Sequence, residues 1–417
     1  MKSIGFLSFG HWSASPGSHA QSAADVLHQS IDLAVAAEEL GADGAYFRVH
    51  HFARQLASPF PLLAAIGART SRIEIGTGVI DMRYENPLYM AEDAGAADLI
   101  SDGRLQLGVS RGSPEQVIEG SRYFGYAAPE GSTMADVARE NTEVFLKVID
   151  GARFAEPNPR PMFPNPHPGP LGIEPQSPGL RDRIWWGAAS DATAEWAAKL
   201  GMNLMSSTLK ADESGEPLHV QQRKQIERYR AAWAEAGHKR EPRVSVSRSI
   251  FALVNDEDRR YFVGGERDAF DTFANLDGFK AVFGRSYADE PDKLIEQLRA
   301  DEAIAALCAE AVGAMEKALN LTVDYIKQRE QFGRAIGSFQ GLQFQASDMF
   351  VELELAKSMA MYASMCARDP DPVERSRACS AAKAQVGRSL KALGERSIQL
   401  HGGVGMTMEY SIGHYFK

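Results

Sequence analysis

Read only for its hydrophobic and polar positions, the first two-thirds of the chain alternates short apolar runs with longer stretches of helical spacing. Residues 4–9 form the first strand, and residues 25–40 (DVLHQSIDLAVAAEEL) carry apolar positions at helical spacing and stop at Gly41, a residue that ends helices well. A second strand is expected at 45–49, a helix from Pro61, and a third strand at 73–80 (IEIGTGVI). Pro87 stands where the next helix opens and Asp102-Gly103 where it ends. Residues 104–113 (RLQLGVSRGS) then read as a buried strand, apolar at Leu105, Leu107 and Val109, that runs into a small-residue loop around Arg111. A helix at 135–149 precedes residues 157–178, whose dense prolines fit neither helix nor central strand and predict a long excursion over one end of the domain. Strands at 184–188, 203–207 and 244–254 and helices at 192–200, 220–235 and 291–299 complete this part.

Alternation of this kind over roughly 250 residues means parallel strands with crossover helices. A TIM-type (β/α)8 barrel is the natural closure, with its site at the strand C-terminal ends. A doubly wound open sheet is the competitor, and no GxGxxG follows the first strand to support its dinucleotide-binding form. After residue 300 the pattern becomes all-helical, with long Ala-, Met- and Leu-rich stretches at 304–325, 339–365 and 373–400. Short connections between them predict an antiparallel bundle whose Met and Leu stripes are core.

Composition narrows the function classes. The chain of 417 residues is 44% hydrophobic and 24% charged, ordinary for a globular protein. A formal net charge of −10 argues against nucleic acid or an anionic membrane as the main partner. Cys308, Cys366 and Cys379 form no CxxC pair, so neither a disulfide framework nor a metal site is expected. The N-terminal MKSIGFLSFGHW does not read as a secretory signal, and no run of about 18 uncharged apolar residues occurs. The expectation is a soluble, cytoplasmic protein.

Polar and small residues collect at the expected strand ends. These are His50-His51 after strand two, Gly76-Thr77-Gly78-Val79 at strand three, Ser110-Arg111-Gly112 at strand four, and Ser190 to Thr193 between strand five and a helix. An arginine in a small-residue loop suits an anion, and hydroxyls at a helix N-terminus suit a phosphate. The small residues of 76–79 would let a flat ring lie against the backbone. Each feature also has an ordinary structural reading: a surface arginine, an N-cap, a hydrogen-bonded histidine pair, packing relief.

GFLSFG, VHHF, EIGTGVIDMRYENPLYMAED, SDGRLQLGVSRG and AASDATAEWAAKLG, in this order, resemble the bacterial luciferase-like flavin monooxygenase family over about residues 1–305. The resemblance implies a TIM barrel that uses reduced FMN and O2 on an organic substrate, with the deazaflavin F420 as the alternative cofactor and a separate flavin reductase as partner. It implies that Arg111 holds the flavin phosphate with Ser190 and Thr193, that the Gly78-Val79 peptide beside Thr77 is cis and lies against the flavin ring, and that His50 is the active-site histidine. Where the luciferase pattern has a glutamate before the phosphate serine, this chain has Ala189.

TVDYIKQREQFGRAIGSFQ and SIQLHGGVGMTMEY resemble the C-terminal bundle domain of acyl-CoA dehydrogenases, over about residues 306–417. That resemblance implies FAD contacts, across a homo-oligomer, from Arg329, Gln331, Phe332, Gln399, Gly402 and Gly403. The other two domains of that family are not expected here, and the chain is expected to stop before the family's catalytic glutamate. No β-rich run is expected between strand seven and the bundle, so the barrel reads as lacking its last strand, with strands one and seven left as open edges. The leading expectation is a flavin-dependent monooxygenase. The alternatives are a helical dimerisation module associated with FAD and a non-functional fusion of two gene fragments.

Overall fold

The computed structural model of the chain describes residues 3–14, 18, 20–112, 117–160, 169–211, 214–262, 272–276, 279–291, 293–294, 297, 302–366, 372–406 and 412. They fall into two compact units, each taken by itself: Ser3–Ala188 with Trp196–Met205, and Ala189–Glu195 with Ser206–Lys417.

The first unit alternates strands and helices: β1 (Gly5–Ser8), α1 (Ala23–Glu39), β2 (Gly44–Phe47), α2 (Pro59–Arg69), β3 (Glu74–Thr77), β4 (Ile80–Asp81), α3 (Pro87–Ile100), β5 (Leu105–Ser110) and α4 (Met134–Ile149). The short β6 (Arg153–Ala155) and β7 (Leu171–Gly172) pair antiparallel before β8 (Ile184–Ala188), and after α5 (Asp191–Lys199) comes β9 (Asn203–Ser206). The sheet order is β1-β2-β3-β5-β8-β9, with β4 beside β5. β1/β2, β2/β3, β3/β5 and β5/β8 are all parallel pairs, as in one half of a TIM-type barrel.

The sequence explains these elements locally. All six residues of β5 are buried, as expected for a parallel strand covered on both faces. Capping boxes open α1 (Ser22 with Asp25) and α4 (Thr133 with Asp136). Trp186 packs on Trp196 of α5 with ring centroids 4.7 Å apart. Its neighbour Trp185 points to the opposite face and donates from Nε1 to Gln106 Oε1 at 2.8 Å. Gln106 donates in turn to Glu74 at 3.1 Å, and Tyr46 Oη donates to Glu74 at 3.4 Å. This polar chain crosses β2, β3, β5 and β8 on one face of the sheet and satisfies groups that would otherwise be costly to bury.

The structure refines three expectations in this part of the chain. The third strand is broken between Thr77 and Ile80, leaving β4 as a separate piece. The seventh, expected at 244–254, divides into β11 (Val244–Val246) and β12 (Ser249–Ala252). The proline-rich excursion is not wholly irregular, since β7 lies within it, and its residues 161–168 are outside the described residues.

In the second unit β10 (Leu209–Ala211) and α6 (Leu218–Ala236) precede β11 and β12, followed by α7 (Asp256–Phe262). The expectation of no β-rich run before the bundle is wrong: β13 (Thr272–Leu276), β14 (Phe279–Phe283) and β15 (Ser286–Asp289) lie there. β13 and β14 are antiparallel, β14 pairs antiparallel with β10, and β15 pairs parallel with β12. Their sequence signal was the Asp277-Gly278 dipeptide between two β-prone runs. Of the helix expected at 291–299, the described residues are helical.

No strand follows β15 among the described residues until β16 (Glu330–Gln331). Residues 302–328 instead form the single helix α8 (Glu302–Gln328), which packs against α6 and β11. The bundle continues with the β16–β17 hairpin (β17, Arg334–Ala335), α9 (Gln340–Cys366) and α10 (Pro372–His401). Its core includes Met315, Ala318, Met349, Leu353, Leu390 and Leu393, the Met and Leu stripes expected from sequence. Among the described residues no helix is long and apolar enough to cross a membrane.

Candidate functional site

In the first unit, parallel pairing brings the C-terminal ends of β2, β3 and β5 to one edge of the sheet. β3 stops at Thr77, whose hydroxyl donates to Gly108 O at 2.7 Å and accepts from Gly108 N at 3.1 Å. The Gly78-Val79 peptide bond is cis, as the luciferase-like resemblance implied. The N–H of Gly78 donates to Phe47 O at 2.9 Å, tying the turn to β2. Position 108 must be glycine, because a Cβ there would collide with Thr77 O and press on Val79 and Met205.

β5 delivers Ser110 and Arg111. Ser110 Oγ accepts from Gly112 N at 3.1 Å, and Gly112 has φ +101, a conformation that strains any other residue. The Arg83 guanidinium lies against Gly112 and is itself paired with Asp81 at 2.6 Å. Arg111 is exposed and makes no hydrogen bond or ion pair among the described residues. Desolvation by the surrounding protein, then the positive charge of Arg139, hold its pKa below the usual arginine value, with Asp136 opposing. Arg139, on α4, reaches Asp136 only at 3.8 Å, and its Nε is buried without a partner. An arginine without a carboxylate partner among the described residues, under the influence of a second positive charge, suits an oxyanion such as a phosphate.

His50 follows β2 and is partly buried. Its Nε2 lies 2.9 Å from Arg48 Nη2, and since a guanidinium only donates, Nε2 accepts and the neutral imidazole carries its proton on Nδ1. Burial, then the Arg48 charge, push the His50 pKa down, with Asp81 opposing. Arg48 also lies 5.0 Å from the Phe9 ring centroid beyond β1. Next to this, His51 stacks on Tyr84 at 4.3 Å and meets Phe124 at 5.0 Å. Glu85, pushed up to about 7 by burial and then by Asp81 and Asp93, adds a group that titrates near neutrality.

The second unit holds Ser190 and Thr193 at the first turn of α5. Their hydroxyl oxygens are 3.1 Å apart, and Thr193 Oγ1 donates to Ser190 O at 3.0 Å. Asp191 between them pairs with Lys210 Nζ at 2.7 Å and Arg228 Nη1 at 3.0 Å.

In the bundle, Arg329, Gln331 and Phe332 belong to the exposed hairpin after α8, where Phe332 is 92% exposed. Gln399, Gly402 and Gly403 are exposed at the end of α10. Stacking of Tyr325 on buried His401, centroids 4.4 Å apart, brings these two segments to one end of the bundle.

Sequence reasoning missed Arg139, Glu85 and Lys210. Arg139 sits one turn into an ordinary amphipathic helix and Lys210 in a short strand, and nothing local in the sequence marks either.

Comparison with known proteins completes these findings. The luciferase-like monooxygenase family model matches residues 1–327, and that of the acyl-CoA dehydrogenase C-terminal domain matches residues 300–417. Acyl-CoA dehydrogenase IpdE2 of Mycobacterium tuberculosis is 42% identical over 118 residues, 28% of this chain and 35% of that protein. The alkanal monooxygenase alpha chain of the Kryptophanaron alfredi symbiont is 25% identical over 186 residues, 44% of this chain and 49% of that protein. Monooxygenase RslO1 of Streptomyces bottropensis superposes with a TM-score of 0.50 at 24% identity, covering 62% of this chain and 74% of that one, a likeness of fold. The chain spans between 35% and 52% of the length of the curated relatives it matches first.

Proposed function

The chain belongs to the luciferase-like monooxygenase family, and we propose that it binds reduced FMN and uses it with O2 to oxygenate a small organic substrate. The observation that carries this reading is Arg111 beyond the end of β5, without a protein partner among the described residues and set against the charge of Arg139. The positive charge of the two guanidinium groups and their N–H donors suit the FMN phosphate.

Bound reduced FMN would supply the electrons that activate O2. The roles given to this chain's residues are narrower. Arg111 and Arg139 hold phosphate oxygens. The same task falls to the Ser190 and Thr193 hydroxyls on the strength of the sequence resemblance. Thr77, Gly78 and Val79 form the surface on which the ring system rests. His50, with its proton on Nδ1 and Nε2 held by Arg48, is a neutral donor for an anionic oxygen. Reduced flavin would come from a separate reductase, F420 would be the alternative cofactor, and the protein would act in the cytoplasm.

We read residues 306–417 as a helical module that brings copies of the chain together, with Arg329, Gln331, Phe332, Gln399, Gly402 and Gly403 as vestigial FAD contacts. An exposed apolar stripe along α9, made by Phe344, Val351, Leu355, Tyr362 and Met365, supports a homo-oligomer. Light scattering on the purified chain checks this, and a monomer at micromolar concentration would count against it.

Mixing photoreduced FMN with air-saturated buffer tests the enzymatic reading. Wild-type protein should change the time course of flavin reoxidation, and Arg111→Ala should return it to that of free flavin. Identical courses with and without wild-type protein would overturn the proposal.

A further inference from the structure

We infer that Lys210 is a positioning residue for the phosphate end of the flavin site. With Arg228 it clamps Asp191, so that the first turn of α5 presents Ser190 and Thr193 to a dianion without a free carboxylate between them. The inference rests on the FMN reading above and extends it to residues that touch no ligand.

Lys210 is the central residue of β10, opposite Val282 of β14, and is 1% exposed. Its ammonium Nζ lies 2.7 Å from Asp191 Oδ1, an ion pair without hydrogen-bond alignment, and Arg228 Nη1 donates to Asp191 Oδ2 at 3.0 Å, so a cation faces each carboxylate oxygen. Asp191 is itself 7% exposed. β10 grips the same turn through its main chain, since Ala211 N donates to Ala189 O at 2.8 Å, one residue before Ser190. One strand therefore fixes the loop into α5 by a backbone hydrogen bond and the first turn of α5 by an ion pair.

Stability alone does not call for this arrangement. A buried ion pair gains little over an apolar pair of similar volume, whereas removing one partner leaves an uncompensated buried charge. What the ion pair adds is electrostatic. An aspartate at the first helical position complements the helix dipole but repels a phosphate bound at the same N-terminus. Paired with Lys210 and Arg228, it keeps its place while its charge is neutralised, and the N–H groups and hydroxyls of the turn stay available to the anion.

The test compares reduced FMN with reduced riboflavin, which lacks the phosphate, in anaerobic equilibrium dialysis of the full chain. Wild type should prefer FMN; a wild type with no preference refutes the phosphate reading itself. Given that preference, Lys210→Met should lower it about tenfold or more while riboflavin affinity stays within about twofold. Lys210→Arg should retain the preference. The double variant Lys210→Met/Asp191→Asn, which removes both charges, should recover it, and this remains the deciding measurement if Lys210→Met does not fold. An unchanged preference in Lys210→Met, equal loss of both flavins, or a folded double variant without preference would each overturn the inference.

Discussion

Replacing Asp98 with alanine removes a carboxylate that is 0% exposed and accepts three hydrogen bonds: Arg183 Nη2 and Ser177 Oγ, each at 2.6 Å, and Leu105 N at 3.0 Å. These join α3 to the first residue of β5 and to the segment that leads into β8, so they fix the strand that delivers Arg111. Each of the three goes to a charged group and is worth about 1.5–3 kcal/mol taken singly, and they do not add in full because they share one carboxylate. Alanine also leaves the Leu105 N–H buried and unpaired, and the Arg183 side chain, 20% exposed, without its counter-ion. The expected loss is about 3–5 kcal/mol, read as a lower midpoint at unchanged slope in urea unfolding followed by tryptophan fluorescence. Asp98→Asn keeps one acceptor and should lose less, about 1–3 kcal/mol. A loss under about 1 kcal/mol for the alanine variant would refute the claim that this carboxylate ties α3 to β5 and β8.

Two carboxylates give predictions of opposite sign in pH. Burial alone would push Glu38 up, but the backbone N–H groups of Ile73, Arg72 and Ser71 together hold its pKa below the usual carboxylate range. A depressed native pKa means that the stability it contributes is present above the unfolded value of 4.5 and lost as pH falls through the native one. Glu38→Gln should therefore be less stable than wild type at pH 7, with the gap closing under acid, and a gap independent of pH would contradict this. Glu85 is raised to about 7 by burial and then by Asp81 and Asp93, so its native form binds the extra proton between 4.5 and about 7 and its contribution is lost as pH rises through that window. In paired melts at pH 5.5 and 8, Glu85→Gln should gain on wild type by on the order of 2 kcal/mol at the higher pH, discounted for partial exposure. No relative gain would remove Glu85 as a group titrating near neutrality.

Much of the first unit was legible as short β-prone runs between turn signals: β5 showed itself by its apolar positions Leu105, Leu107 and Val109, although the fold buries all six of its residues, Gln106 and Ser110 included. Helices announced themselves through spacing and punctuation, as with Pro87 opening α3 and Gly41 just beyond α1. The cis bond at Gly78-Val79 was available only through resemblance, since no local propensity marks it. The second unit was harder. β12 and β15 find each other across an intervening helix and hairpin, and no periodicity within either four-residue strand carries that information. Arg139 and Lys210 matter through what the fold sets beside them, which spacing along the chain does not record.

Whether Arg111 holds the flavin phosphate is read by anaerobic titration of wild type and Arg111→Ala with reduced FMN. Wild type should bind saturably, and the variant should have a dissociation constant about 10- to 100-fold higher, the loss of one charge-assisted phosphate contact. Equal affinities for the two proteins would contradict that role.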